Sequence, residues 1–358
     1  MTVHITKDEE LLDEMIKAQT EAGYMPSSHW KSYEDVNIIM MKRVGLDEIL
    51  SFPNSFGNFP SKVWIPASFI KRAVRFAAKK IRTTLGMKPA LLKLPSVAAE
   101  SIEVQMRYMM VCLCEALYNV PNGNKLFELH DSFAGSTPEI HVIDNNKFSF
   151  QFVYYFSRAL WMINNLTLPH GAVVVEIGPG YGGFTEVLRK LRPDLRIGVV
   201  DIVPQLYLVE QRLSAIFGNK DSQGAVLGFR NISSMDEIKL DQMDEGDIAI
   251  IPPWLFARAS GISVGINHAS MQEMDRSVAK QYIDHLANAG MKAFYLVHYA
   301  PGIGSMDNAT TSEFLIDCFK ENGLKMKHFS GFENPDSFAT RSEHHGHDHF
   351  IFERDGTL

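Results

Sequence analysis

Cysteine is nearly missing from this chain: three in 358 residues, at positions 112, 114 and 318. Neither a disulfide framework nor a thiolate zinc site can be assembled from that set, and a reducing compartment is the expected setting. Long apolar runs are missing too. None approaches the ~20 residues that a bilayer-spanning helix needs, so no membrane partner is expected. Positive charge is scarce: 35 Lys and Arg stand against 42 Asp and Glu, for a net charge of -7. A nucleic-acid partner, which wants a basic face, is therefore not expected. The first residues are charged (Lys7, Asp8, Glu9, Glu10) where a secretory signal needs an apolar centre, and the expectation is a cytoplasmic protein. What the chain has is hydrophobic sequence, 46% of its residues, enough for a large core with room for two domains.

The residues up to about 150 read mainly as helices and loops. Thr6 followed by Glu9 has the form of a capping box for a helix reaching Glu21. Pro26 to Trp30 reads as a turn, and Ser51 to Pro66 as an irregular stretch. Ala67 to Leu85 and Ser96 to Tyr118 read as helices, and Glu128 to Asn146 as a polar connection. Phe148 to Leu166 is a heavily aromatic helical pattern. From about 171 strand and helix alternate: strands at 172–177, 197–200, 247–251, 262–267, 292–299, 324–329 and 349–353, with helical patterns between most of them. Seven strands with helical crossovers predict an α/β, Rossmann-like doubly wound sheet. The division expected is a helical N-terminal region, 1–150, that covers an acceptor site or forms a homodimer interface, and a catalytic domain, 151–358.

The first strand of the alternating region carries the clearest chemical signal. Val173-Val174-Val175-Glu176-Ile177 breaks into Gly178-Pro179-Gly180-Tyr181-Gly182-Gly183, and a helical pattern follows. A buried strand that feeds a Gly-rich turn at a helix N-terminus is built to receive a nucleotide-like ligand. Two cofactors compete for it. Gly178, Gly180 and Gly183 fit the dinucleotide fingerprint, with Asp201 at the spacing of a ribose-binding acid. Glu176, Gly178, Gly180 and Gly182 equally form the Glu-x-Gly-x-Gly-x-Gly pattern of S-adenosylmethionine sites. A carboxylate beside the glycines suits a cationic sulfonium and would repel a pyrophosphate, so S-adenosylmethionine is favoured.

Ligands of such sheets sit outside the carboxyl ends of the strands, and the other candidates lie there. The fourth strand ends in Asn267-His268-Ala269-Ser270-Met271-Gln272-Glu273-Met274. His268 has the chemistry of a general base for a hydroxyl proton. Glu273 is a second candidate base, or a carboxylate partner for His268. Each has an ordinary structural reading as a cap or an exposed carboxylate. Together with Glu176 to Gly183 and Tyr282, this run resembles a family of sugar O-methyltransferases, over about residue 100 to the C-terminus, with Ser28-His29-Trp30 extending the likeness forward. The resemblance implies S-adenosylmethionine held by Glu176, Gly178, Gly180 and Asp201, with Tyr181, Gly182 and Asn267 in the same set, and a sugar hydroxyl as acceptor.

Trp254, after Pro252-Pro253 at the end of the third strand, either stacks on an adenine or pins its loop to the core. His298 and Tyr299 precede Pro301-Gly302-Ile303-Gly304, a loop suited to an acceptor pocket or to plain turn chemistry. His344-His345-Gly346-His347-Asp348-His349 reads first as a polar loop, not a metal site. If a divalent cation takes part, Glu273 and Asp275 are competing ligands. Three other readings stay open: methylation of a non-sugar natural-product hydroxyl, a nicotinamide-dependent oxidoreductase, and a non-catalytic S-adenosylmethionine-binding protein.

Overall fold

The computed structural model describes residues 3–26, 28–43, 45–46, 120–134, 140–143, 145–218, 224–299, 310–330 and 347–355. The stretches expected as irregular over 51–66 and helical over 67–85 and 96–118 lie outside the described residues, as does the 301–304 loop.

Two helices open the chain, α1 (Glu9–Glu21) and α2 (Ser28–Arg43). Leu11, Leu12, Met15 and Gln19 form the buried stripe of α1 at helical spacing. Its N-cap is Asp8, which accepts from Leu11 N at 3.0 Å, and not the expected Thr6. An anionic cap satisfies an orphan amide and faces the positive end of the helix dipole. Helix α2 takes up residues 28–30, which sequence reading assigned to a turn. The polar connection at 128–146 also departs from expectation. It holds part of an antiparallel hairpin, β1 (Ile140–Ile143) with β2 (Asn146–Ser149), turned at Asn145 with φ 64°. Ser149 then caps the aromatic helix α3 (Phe150–Asn165) by accepting from Phe152 N.

The alternating part follows as β3 (Val173–Ile177), α4 (Gly183–Leu191), β4 (Arg196–Val200), α5 (Val203–Phe217), β5 (Val226–Leu227), α6 (Phe229–Ser233), β6 (Ile238–Lys239), β7 (Ile248–Ile251), β8 (Ala259–Ser260), β9 (Val264–His268), α7 (Arg276–Asn288), β10 (Ala293–Tyr299), α8 (Ser312–Glu321), β11 (Leu324–Ser330) and β12 (His347–Arg354). Eight of these strands form one sheet in the order β11-β12-β10-β9-β3-β4-β7-β5. The eighth, unexpected member is β5, a two-residue edge strand too short to show a period. Strands β10 to β5 run parallel, and β12 lies antiparallel between β10 and β11. This is a Rossmann-like doubly wound α/β sheet.

Alternation along β3 sorts its residues between two cores. Val174 faces the layer of α1, α3, α4 and α5, while Val173, Val175 and Ile177 face the layer of α7 and α8. Both faces are covered, which is why the strand reads as an unbroken apolar run apart from one acid. Side chains from the N-terminal helices, Leu11, Leu12, Met15 and Met41, share the first core with the sheet. Arg230 of α6 adds ion pairs to Asp8 and Glu14. From β3 the chain moves outward through β4 and β7, then returns to β9 on the other side of β3. The carboxyl ends of β3 and β9 therefore flank the crevice where such sheets bind ligands.

Candidate functional site

The Gly-rich turn after β3 takes its spacing from backbone geometry. Gly178, Gly180 and Gly182 have φ of 72°, 59° and 79°, each in the left-handed region where a side chain is disfavoured. Gly182 is the N-cap of α4. At Gly178 there is a second constraint: a Cβ there would fall 2.0 Å from Ser270 Oγ. The turn that follows β9 is thus laid directly on the glycine turn. Asn267 holds it there, donating from Nδ2 to Ile177 O at 2.7 Å and to Ser270 Oγ at 2.5 Å, while its Oδ1 accepts from Met271 N. Ala269 pays a conformational cost in the same turn, with φ 57°. Asn267 is fully buried, so its polar atoms serve to join the ends of β3 and β9.

Three carboxylates gather around this junction. Asp201, just past β4, accepts from Ile202 N at 2.8 Å and from Gly180 N at 3.2 Å. Burial nevertheless pushes its carboxyl up to about 7, against those two hydrogen bonds. Glu273, in the short 3-10 turn Met271–Glu273, is pushed up to about 7 by burial and by the Asp201 charge. Glu176 points under α4, where Thr185 Oγ1 donates to it at 2.5 Å. Burial lifts its carboxyl to about 8, the Thr185 bond works against that, and the Asp201 charge adds to it. Among the described residues no Lys or Arg pairs with any of the three; the one partner in ion-pair range is His268, its Nδ1 3.7 Å from Glu176 Oε1.

Asp201 and Glu273 remain partly exposed, as does Trp254. Facing Trp254 is Tyr24, with ring centroids 5.8 Å apart. Tyr24 also adjoins the Tyr282 phenol of α7, and both phenols feel the charge of Asp201. Nothing in the sequence pointed to Tyr24 or to the seat of Ser270 over Gly178.

His268 is differently placed from Glu273. Its side chain is 5% exposed. The ring packs edge-on against Phe184 at 4.0 Å, with Tyr295 at 5.5 Å and Tyr155 at 6.1 Å. Tyr295 in turn bonds through its hydroxyl to His349 Nδ1 at 2.8 Å, so the end of the histidine run is a buried core partner. Residues 344–346 lie outside the described residues. Among the described residues no group of three His, Cys, Asp or Glu is placed to hold a metal ion. His298 is buried against Ser312 Oγ at 2.9 Å, and burial pushes its ring down to about 4.

On the other side of the glycine turn stands a second charged set. Tyr181 turns away from the acids, under the Arg212 guanidinium at 4.9 Å. Arg212, 4% exposed, pairs with the buried Glu186 of α4. It also donates to Ala134 O at 3.1 Å and Gly182 O at 3.3 Å. Lys190 and Ser132 N complete the ring of donors around Glu186. Burial alone would raise this carboxyl, yet the Arg212 and Lys190 charges win and hold it at about 2. Asp131 nearby accepts from Ser149 N, Ser149 Oγ and Phe133 N.

No protein family and no curated protein matches the chain. Solved structures do. The magnesium protoporphyrin IX methyltransferase of Synechocystis PCC 6803, with bound S-adenosylhomocysteine, matches at TM-score 0.37 and 13% identity, covering 57% of this chain and 82% of that one. Methanococcus jannaschii fibrillarin, a pre-rRNA processing protein, matches at TM-score 0.36 and 12% identity, covering 61% and 83%. Geranyl diphosphate C-methyltransferase of Streptomyces coelicolor A3(2) matches at TM-score 0.36 and 10% identity, covering 55% and 78%. Likeness at this level assigns neither a ligand nor an acceptor. No helix among the described residues is long and apolar enough to cross a membrane.

Proposed function

We propose that the protein is an S-adenosylmethionine-dependent methyltransferase. One observation carries the reading: an alternating-glycine turn bordered by three buried or half-buried carboxylates with no Lys or Arg among the described residues to pair them. A pyrophosphate would bring like charge into that setting, whereas a sulfonium brings the opposite charge. The glycines let the backbone reach the ligand, and Asp201, anchored by Gly180 N and Ile202 N, is placed to accept from ribose hydroxyls. The cofactor supplies an electrophilic methyl group on its sulfonium.

The acceptor we propose is a hydroxyl on a sugar or sugar-containing small molecule, with a non-sugar natural-product hydroxyl as the competing case. What supports the sugar is the Ser270-Met271-Gln272-Glu273-Met274 element. As the new O–C bond forms, the S–C electron pair stays on sulfur and the hydroxyl proton passes to a base. His268 and Glu273 compete for that role. Glu273 is favoured because it is partly exposed, and a carboxyl near 7 is half ionised at neutral pH. His268, enclosed by Phe184 and Tyr295, then serves as a neighbour of Glu176.

Calorimetric titration with S-adenosylhomocysteine, with NAD as control, tests the cofactor. Micromolar binding of the former alone supports the reading. Binding of NAD alone sinks it in favour of an oxidoreductase. Transfer of labelled methyl to a panel of sugars and flat phenols then decides the acceptor.

A further inference from the structure

We propose that Tyr24, delivered by the connection between α1 and α2, is a ligand-binding residue of the strand-end site and walls in the nucleoside end with Trp254 and Tyr282. The inference rests on the S-adenosylmethionine reading and adds the N-terminal region to the site. Tyr24 lies 230 positions from Trp254 and 258 from Tyr282 in the sequence, yet its ring centroid stands 5.8 Å from that of the indole, tilted by 46°, and its phenol adjoins that of Tyr282. Both phenols feel the charge of Asp201, the acid with hydrogen-bonding capacity for a diol. Two phenols by a diol-binding carboxylate, one of them against an indole, suit a flat, hydroxyl-bearing nucleoside: ring faces for the base and a carboxylate for the sugar.

The placement of Tyr24 is built rather than incidental. Gly23, at φ 65°, turns the chain at the end of α1, and Tyr24 N donates back to Gln19 O at 3.2 Å. Gln19, itself buried, donates to Glu34 of α2 at 2.8 Å, so both helices hold the turn that presents the ring. Arg230, through Asp8 and Glu14, ties α1 to the sheet domain. Tyr24 and Trp254 stay partly exposed where neighbouring core rings are closed off.

The test uses the full chain, with wild type, Tyr24→Leu and Tyr24→Phe titrated with S-adenosylhomocysteine and with 5′-methylthioadenosine, which shares only the nucleoside end. Melting curves run alongside. We expect Tyr24→Leu to weaken both ligands by the same factor, about tenfold as for the loss of a ring contact. Tyr24→Phe, which keeps the ring, should lose about threefold. Equal affinities in wild type and Tyr24→Leu overturn the role of Tyr24 and leave the cofactor reading standing. So does a Tyr24→Leu loss confined to S-adenosylhomocysteine. Should Tyr24→Leu melt early, an undiminished affinity in a stably folded Tyr24→Phe whose tryptophan emission no longer responds to ligand also overturns it. Wild type that binds neither ligand overturns the cofactor reading and this inference together.

Discussion

The two sides of the glycine turn bury carboxylates in opposite ways. Glu186 goes under with Arg212, Lys190 and a backbone amide around it, and its carboxyl is held at about 2. Glu176, Asp201 and Glu273 go under without Lys or Arg among the described residues, and rise to between about 7 and 8. Burial is common to both sets; the accompanying cation is not. A compensated set is architecture, since its charges complete one another within the fold. An uncompensated set costs the protein stability on its own, a cost that folds tolerate where a ligand supplies what is missing.

The strongest way to break that contrast is to remove the cation from the compensated side. Arg212→Met leaves the buried Glu186 with Lys190 and Ser132 N alone and takes the guanidinium donor from Ala134 O and Gly182 O. A loss of ~3–5 kcal/mol is expected in chemical denaturation; a loss below ~1 kcal/mol would show that the pairing is incidental. Next comes the acid side, where Glu176→Gln should stabilise, increasingly so as pH rises above about 4.3. The folded carboxyl sits near 8 and an unfolded one near ~4.3. Its contribution to stability is therefore full below about pH 4.3 and lost as pH rises through about 8. Thr185, His268 and Asp201 face it and are unchanged in the variant. We expect the variant to exceed wild type by ~2–3 kcal/mol at pH 9 and to match it at pH 4. Glu186 obeys the reverse sign, contributing above about 4.3 and losing that as pH falls through about 2.

Asp201→Asn sharpens the same contrast through binding. It keeps the shape but removes the charge, and S-adenosylhomocysteine affinity should fall ~10- to 30-fold, as for a lost charged hydrogen bond. An unchanged affinity would falsify the assignment of Asp201 to the ribose. The smallest effect is expected at Ser149→Ala, on the compensated side. Ser149 caps α3 and donates to Asp131, so ~1–2 kcal/mol of stability should go while ligand affinity stays put.

How much of this was legible beforehand follows from how local each feature is. The β3 strand, its three glycines, α4 and Asp201 lie in one short stretch, and each leaves a mark on composition or spacing. The sheet class followed from the same alternation. The cap was placed at Thr6 instead of Asp8, and residues 28–30 were read as a turn instead of the opening of α2, because several polar residues near each boundary can cap and only tertiary packing chooses between them. Two-residue β5 and the 140–149 hairpin are too short for a period to register. Tyr24 and Ser270 act across long separations, and long-range contact has no signature in a single sequence. Glu176 was read as an acid beside the glycines; its bond to Thr185 of α4 is an addition that strand alternation sets, since it lies on the same face as Val174.

Strand β12 is the last strand of the sheet along the chain, yet it lies inside it, between β10 and β11. Among the described strands β11 pairs only with β12. During synthesis β10 and β11 therefore leave the ribosome before the strand that joins them. Until residue 347 has emerged, β10 offers a free hydrogen-bonding edge and β11 has no strand to pair with. That interval is when the chain is most open to pairing with another copy of itself, and a product cut short ahead of β12 would be held in it permanently.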